Sequence, residues 1–161
     1  MNYLLAISCV FICFTTIIAF PKNDLQHTFK QGNKSFLIHT VKMNFSDAYN
    51  FCKNSNLQLA AVETIAEDDK IFKELSYLGF FLAPKAFWTS GTKLANSNRW
   101  IWLISTKTIA YFNWGDAEPS KKYGNEFCIA VHPDNYSETG YWSARNCSST
   151  AYPICQTVSL N

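Results

Sequence analysis

The stretch WGDAEPSKKYGNEFC, residues 114–128, carries the most information about the fold. Gly115, Pro119 and Gly124 stand in it among polar residues, and glycine and proline interrupt helices and strands. Residues 113–126 are therefore predicted to form one long irregular loop. The loop leads directly into Cys128, which opens a predicted short strand.

Short strands are predicted on both sides of this loop. They cover 34–42, 57–62, 87–89, 100–102, 128–132, 141–144 and 152–157, and residues 20–34 are predicted to be a polar lead-in. Two helices precede the loop. Asn44 can cap the first, in which Cys52 shares an apolar face with three residues at helical spacing, Phe45, Ala48 and Tyr49.

The second helix has the stronger signals. Thr64 and Glu67 form a capping box, the acidic residues Glu67, Asp68 and Asp69 favour the positive end of the helix dipole, and Gly79 suits its end. The helices come early and the strands mostly late, without alternation along the chain. This order predicts an α+β fold.

Composition limits the class of protein. The chain has 161 residues, 48% of them hydrophobic, and a net charge of 14 − 12 = +2. This length fits a single domain, and the absence of a basic cluster argues against nucleic acid as a partner.

The N-terminal residues have the pattern of an export signal. Residues 1–20 have no charged side chain, and Ala19 offers a cleavage point, so 1–19 are predicted to be a signal peptide and 20–161 a single secreted domain. The alternatives are a membrane anchor or a buried helix. The apolar run is shorter than the ~20 residues that a membrane span needs, so no span is predicted.

Four cysteines remain after removal of the signal: Cys52, Cys128, Cys147 and Cys155. In an exported domain an even number predicts two disulfides, with three possible connectivities. Zinc is the alternative, but no pair of cysteines or of histidines has the spacing of a zinc site.

The ordered set of motifs resembles the C-type lectin family over about residues 30–157. The stretch 114–120 matches the W-x-x-x-E-P-N loop of the family, 125–128 match its N-E-x-C segment, and Trp142 and Cys147 keep the spacing of its W-N-D-x-x-C segment. The phrase FWTSG, residues 87–91, stands where the family has W-I-G-L, a variant typical of small secreted insect lectins. The resemblance implies the disulfides Cys52–Cys155 and Cys128–Cys147.

The resemblance also implies a site. Sugar-binding members hold one calcium ion with the side chains that bind the sugar, and the corresponding carbohydrate-binding positions here are Glu118, Pro119, Ser120, Glu126 and Ser143. The proline is cis in the family. Glu118 and Glu126 are the implied metal ligands.

The implied calcium site is incomplete. Serines replace two asparagines of the family pattern, at Ser120 and Ser143, and Ala144 replaces its aspartate. Lys121, Lys122 or Arg145 are expected to pair with the two glutamates instead. Calcium affinity is therefore expected to be weaker than ~10⁻³ M, the low end for extracellular modules.

The expected function is carbohydrate binding by a secreted lectin-like protein that recognises glycans or glycoproteins, with calcium as its implied cofactor. The alternative is a calcium-independent protein-binding module, such as an inhibitor or an adhesion partner. No enzymatic activity is expected, because the three histidines have no Ser, Cys or Asp partner at motif spacing. Among the glycosylation sequons, Asn33 and Asn135 are the expected acceptors.

Overall fold

The computed structural model describes residues 26–80, 85–94, 97–120, 127–134 and 136–157. Their elements are β1 His27–Gln31, β2 Lys34–Ile38, α1 Phe45–Asn54, β3 Gln58–Leu59, α2 Ile65–Tyr77, β4 Phe87–Lys93, β5 Trp100–Trp102, β6 Cys128–Pro133, β7 Gly140–Arg145 and β8 Tyr152–Gln156. The predicted α+β class is confirmed. The predicted signal peptide lies outside these residues, in which no helix is long and apolar enough to cross a membrane.

Both helices begin where their capping residues predict. The Asn44 side chain accepts a hydrogen bond from the Asp47 backbone N–H at 2.9 Å, and the Thr64 hydroxyl accepts one from the Glu67 N–H at 3.2 Å. Each bond satisfies a backbone donor that the first turn of a helix leaves without a partner. Cys52 is buried on α1, as its helical spacing predicts.

The strands follow one path, β1-β2-β8-β4-β6-β7, with β3 added beside β8 and β5 beside β4. The last strand, β8, pairs with β2 near the start of the domain, so the two ends of the domain are hydrogen-bonded to each other. At the far end of the path β6 and β7 form an antiparallel pair. This pair carries the candidate site.

Three strand predictions need correction. The prediction that residues 20–34 are a polar lead-in is wrong in part, because His27–Gln31 form the strand β1. This strand pairs with β2 across a tight turn where Gly32 has φ +57°. Only Phe29 of β1 is buried, so the apolar alternation that marks a strand is too weak to see. The predicted strands 34–42 and 57–62 are also shorter, ending at Ile38 and reduced to Gln58–Leu59.

Both implied disulfides are present. Cys52–Cys155 joins α1 to β8 across 103 residues of sequence, and Cys128–Cys147 joins the start of β6 to the segment after β7 across 19 residues. The large aromatic side chains Trp88 and Trp142 are fully buried between the helices and the sheet, as their strand positions predict. One disulfide therefore crosslinks α1 to β8, and the other crosslinks the β6–β7 side of the core, which carries the site.

Candidate functional site

A pocket of about 320 Å³ lies where the loop before residue 121 meets β6 and β7. Its lining residues are Glu118, His132, Tyr141, Ser143, Ala144, Arg145, Asn146 and Ser149. Two of the predicted carbohydrate-binding positions, Glu118 and Ser143, are among them. The tertiary structure therefore joins residues that are 25 positions apart in sequence.

The Glu118 carboxylate attaches the loop to β7. Its Oε2 accepts hydrogen bonds from the Ser120 backbone N–H at 2.7 Å and from the Ala144 backbone N–H at 3.0 Å. The Glu118–Pro119 peptide bond is cis, as the resemblance implies. Hydrogen bonds to a charged acceptor are stronger than neutral ones, so the position of Glu118 against β7 is well determined.

Ser143 is held by a residue that the sequence analysis did not select. Ser143 is buried, and its hydroxyl lies 2.6 Å from His132 Nε2. Burial, and next the positive charge of Arg145, lower the pKa of His132 to about 4, while a hydrogen bond with the Lys85 backbone opposes this shift. His132 is therefore neutral at pH 7, and its ring can accept the hydroxyl proton of Ser143.

His132 thus has a serine partner in space, although no histidine has one at motif spacing in the sequence. In the register of β6 and β7, His132 lies opposite Tyr141 and Ala130 lies opposite Ser143. His132 and Ser143 are thus diagonal neighbours on one face of the sheet, a distance that a long side chain can bridge. Sequence spacing alone could not show this contact, because it depends on the pairing register.

Tyr141 forms one wall of the pocket and is held on two sides. Its ring stacks on His132 with the centroids 5.0 Å apart and the planes at 11°. On the other side Gly115 packs so closely that a Cβ there would lie 2.5 Å from Tyr141 Cδ2. A side chain at position 115 would therefore displace the Tyr141 ring, which explains the glycine at that position.

A buried carboxylate supports the strand from beneath. Asp68 of α2 accepts hydrogen bonds from Trp142 Nε1 at 2.8 Å, Asn113 Nδ2 at 2.6 Å and the Tyr111 hydroxyl at 2.9 Å. Burial raises the pKa of Asp68 although these three donors lower it. Asp68 was expected only to interact favourably with the dipole of α2. Its spacing of three residues from Ile71, however, places it on the buried face of that helix.

Four of the predicted residues fall in segments that the structure does not describe. Glu126, Lys121, Lys122 and Asn135 lie outside the described residues. No salt bridge within 4.0 Å joins Arg145 to Glu118, and the expected pairings that involve Lys121, Lys122 or Glu126 stay predictions. The Glu118 carboxylate instead faces backbone N–H groups of the loop and of β7.

The donors among the described residues, which do not include Glu126, do not fit a calcium ion, which takes six to eight oxygen ligands. Across the described ranges, no three His, Cys, Asp or Glu side chains converge as a metal site would require. Ala144 offers no side-chain oxygen, its side chain is 98% buried, and Oε2 of Glu118 already accepts two N–H groups. The described residues thus supply one carboxylate where the family pattern has three.

Comparison with known proteins identifies the family. The Lectin C-type domain model matches residues 41–157. The C-type lectin mosGCTL-7 of Aedes aegypti is 23% identical over 124 residues, which cover 76% of this chain and 83% of that protein. L-selectin of Mus musculus is 27% identical over 119 residues, 73% of this chain but only 30% of the selectin. The chain thus spans less than a third of the selectin it matches.

Solved structures agree. The mouse scavenger receptor C-type lectin carbohydrate-recognition domain superposes with a TM-score of 0.67 at 20% identity, covering 84% of this chain and 98% of that one. Human lithostathine gives 0.69 at 20% identity over 82% and 97%. The SPL-1–GlcNAc complex gives 0.65 at 25% identity over 81% and 91%. Together with the family match, these superpositions show that the chain belongs to the C-type lectin domain family.

Proposed function

We propose that this chain is a secreted, non-enzymatic carbohydrate-binding protein that binds glycans in the pocket beside Glu118 without needing calcium. The observation that carries the proposal is the placement of the Glu118 carboxylate and the Ser143 hydroxyl in one pocket. Both oxygens can accept hydrogen bonds from neighbouring sugar hydroxyls. A structural neighbour, SPL-1, is described as a complex with GlcNAc, which supports a sugar as the class of ligand.

Binding without calcium follows from the donor set. A site with one described carboxylate and two serines is too weak to hold a hard divalent cation at the concentrations of extracellular fluid. The carboxylate can still bind hydroxyls directly, because charge-assisted hydrogen bonds are roughly twice as strong as neutral ones. Single-sugar affinity is expected to be low, as a small polar pocket implies.

The Ser143–His132 pair supports binding rather than catalysis. A histidine with a pKa near 4 is a poor general base at pH 7, because an efficient base has a pKa near the working pH. The neighbouring Ala144 N–H, which could stabilise an oxyanion, already donates to Glu118. The pair is better suited to fixing the direction of the Ser143 hydroxyl.

Secretion and modification belong to the same proposal. Disulfides persist in oxidising compartments, and the two present here fit an exported protein with the predicted signal peptide 1–19. Asn33 lies exposed in the turn between β1 and β2, where a glycan would have room. Glycosylation there and at Asn135 stays a prediction.

A glycan array with and without chelator tests the proposal. The wild type is compared with Glu118→Gln and with Glu138→Gln, the same change at an exposed carboxylate in the β6–β7 connection. We expect binding that survives EDTA, is lost in Glu118→Gln and is kept in Glu138→Gln. Loss of wild-type binding in EDTA would contradict calcium independence. An array without any bound glycan would contradict carbohydrate binding and favour the protein-binding alternative.

A further inference from the structure

Arg145 ends β7 at the rim of the pocket, and its charge has no partner among the described residues. It is half-buried, and no carboxylate of the described residues lies within 4.0 Å of its guanidinium. Its charge reaches the pocket interior, since it lowers the pKa of His132. A partly desolvated guanidinium without a counter-charge is a site for an anion.

Two further donors lie beside it. Asn146 uses its Oδ1 to accept the Ser148 backbone N–H at 2.8 Å, which leaves its amide N–H groups for another acceptor. Ser149 also lines the pocket, and its hydroxyl makes no hydrogen bond within the described part of the chain. Arg145, Asn146 and Ser149 therefore form a donor side of the pocket.

The opposite side has acceptors. The Glu118 carboxylate carries negative charge, and the Ser143 hydroxyl lies against the neutral His132 ring, so its oxygen lone pairs remain available to a ligand. A ligand that matches both sides has hydroxyl donors at one end and an anionic acceptor at the other. The two kinds of group must lie close enough together on the ligand to fit within one small pocket.

We propose that the pocket binds an acidic sugar, with the sugar carboxylate on Arg145 and its hydroxyls on Glu118 and Ser143. This inference rests on the proposed carbohydrate-binding function and specifies its ligand class. The planar guanidinium can hold a carboxylate through two parallel hydrogen bonds. The volume of about 320 Å³ is at the small end for ligand pockets and suits one sugar unit rather than several.

A carboxylate fits this pocket better than a sulfate. Glu118 stands in the same pocket, and like charges within a few ångström repel one another. A carboxylate spreads one negative charge over two oxygens, and both of them can face Arg145. The neutral end of the sugar then faces Glu118. A tetrahedral sulfate directs an oxygen away from the guanidinium plane and toward the acceptor side.

Binding of four probes in EDTA tests the inference: methyl glucuronide, methyl glucoside, glucose 6-sulfate and acetate. NMR titration is used because weak binding is expected. We expect the glucuronide to bind at least about tenfold more tightly than the glucoside, and more tightly than the sulfate or acetate. Arg145→Gln should reduce the glucuronide-to-glucoside ratio to about one. Arg145→Lys should keep part of it, because lysine has the charge without the planar fork.

Arg99→Gln is the matched control, since Arg99 is exposed and is absent from the pocket lining. It should leave the ratio unchanged. Equal affinity for glucuronide and glucoside in the wild type would overturn the inference and leave the proposed function standing. Binding of neither sugar would overturn both. Arg145-dependent binding of acetate as tight as that of glucuronide would show an anion site without sugar recognition, and preferred sulfate binding would contradict the choice of carboxylate.

Discussion

His132 determines the properties of the site at the scale of single residues. It contacts two residues that line the pocket, through a hydrogen bond to Ser143 and a stacked ring on Tyr141. Its neutral state depends on burial and on the neighbouring charge of Arg145. Protonation of His132 would therefore place a second positive charge beside Arg145, and the two charges would repel each other.

This depressed pKa predicts a loss of stability in acid. The folded pKa of His132 is about 4 and the ordinary value is 6.5, so the unfolded chain binds the proton more readily between these values. The contribution of neutral His132 is complete above pH 6.5 and is lost as pH falls toward 4. Between pH 7 and pH 4.5 the wild type should lose about 2 kcal/mol of unfolding free energy more than His132→Gln.

Urea unfolding of both proteins at the two pH values measures this difference. Asp68 acts in the opposite direction, because its raised pKa contributes stability that is lost as pH rises through that pKa. Its effect is common to both proteins and cancels in the comparison. Equal losses in wild type and variant would show that His132 is not neutralised by its surroundings.

The missing calcium ligands give a second prediction at this scale. Ser120→Asn, Ser143→Asn and Ala144→Asp together should strengthen calcium binding at least tenfold, about 1.4 kcal/mol, while single changes should do much less. Ala144 is 2% exposed and packs in the main core cluster, so the new aspartate should also destabilise the calcium-free protein by a few kcal/mol.

Thermal unfolding with and without millimolar calcium tests both parts. The triple variant should melt below the wild type in EDTA and recover as calcium is added, because a ligand bound only to the folded state raises its stability. The wild type should not respond. A tight calcium response of the wild type would show that oxygens other than those described here complete the shell.

At the scale of elements, α2 and β7 are joined by the Asp68 carboxylate. Its three donors come from Tyr111 and Asn113 of the long loop and from Trp142 of β7. Trp142 also bonds through its backbone to the loop, since its N–H donates to the Asn113 carbonyl and its carbonyl accepts the Gly115 N–H. Helix, loop and strand therefore keep one arrangement beneath the pocket.

Asp68→Ala should cost about 3 kcal/mol of unfolding free energy, since it leaves the buried Trp142 indole N–H without an acceptor and removes a charged partner from two other donors. Asp69→Ala is the control, because Asp69 is exposed on the same turn. It should change stability by no more than about 0.5 kcal/mol. Chemical denaturation of both variants measures the difference. Similar values would contradict the structural importance of the Asp68 contacts.

At the scale of the whole molecule, β8 and the longer disulfide join early and late parts of the described domain. β8 pairs with β2 and β3, and Cys155 within it bonds to Cys52 of α1. The shorter disulfide, Cys128–Cys147, crosslinks only the β6–β7 pair that carries the site. The two crosslinks therefore constrain loops of very different length in the unfolded chain.

Loop length predicts their unequal contributions. In the chain-entropy treatment the 103-residue loop is worth about 4.7 kcal/mol and the 19-residue loop about 3.2 kcal/mol. Replacing Cys52 and Cys155 by Ala should thus destabilise the protein about 1.5 kcal/mol more than replacing Cys128 and Cys147. Denaturant unfolding of the two double variants is the measurement. A larger loss for the Cys128–Cys147 variant would show that the disulfide acts mainly on the native site.

Local signals in the sequence were sufficient to predict both helices. The caps at Asn44 and Thr64 act within three residues, so their effect is independent of the rest of the chain. The cysteine pairing came from the family resemblance, which transfers a whole arrangement at once, and the structure confirms it. Residue types alone also predict a weak calcium site, and this stays a prediction.

Tertiary structure alone decided which side chains meet. His132 reaches Ser143 because β6 and β7 pair in one register. Asp68 reaches Trp142 because α2 packs under β7. The strand β1 forms because it pairs with β2. Among the described residues Arg145 has no carboxylate partner, because Glu118 accepts backbone N–H groups instead. These contacts join residues that are distant in the chain, and their geometry depends on register and packing, which no local pattern of residue types contains.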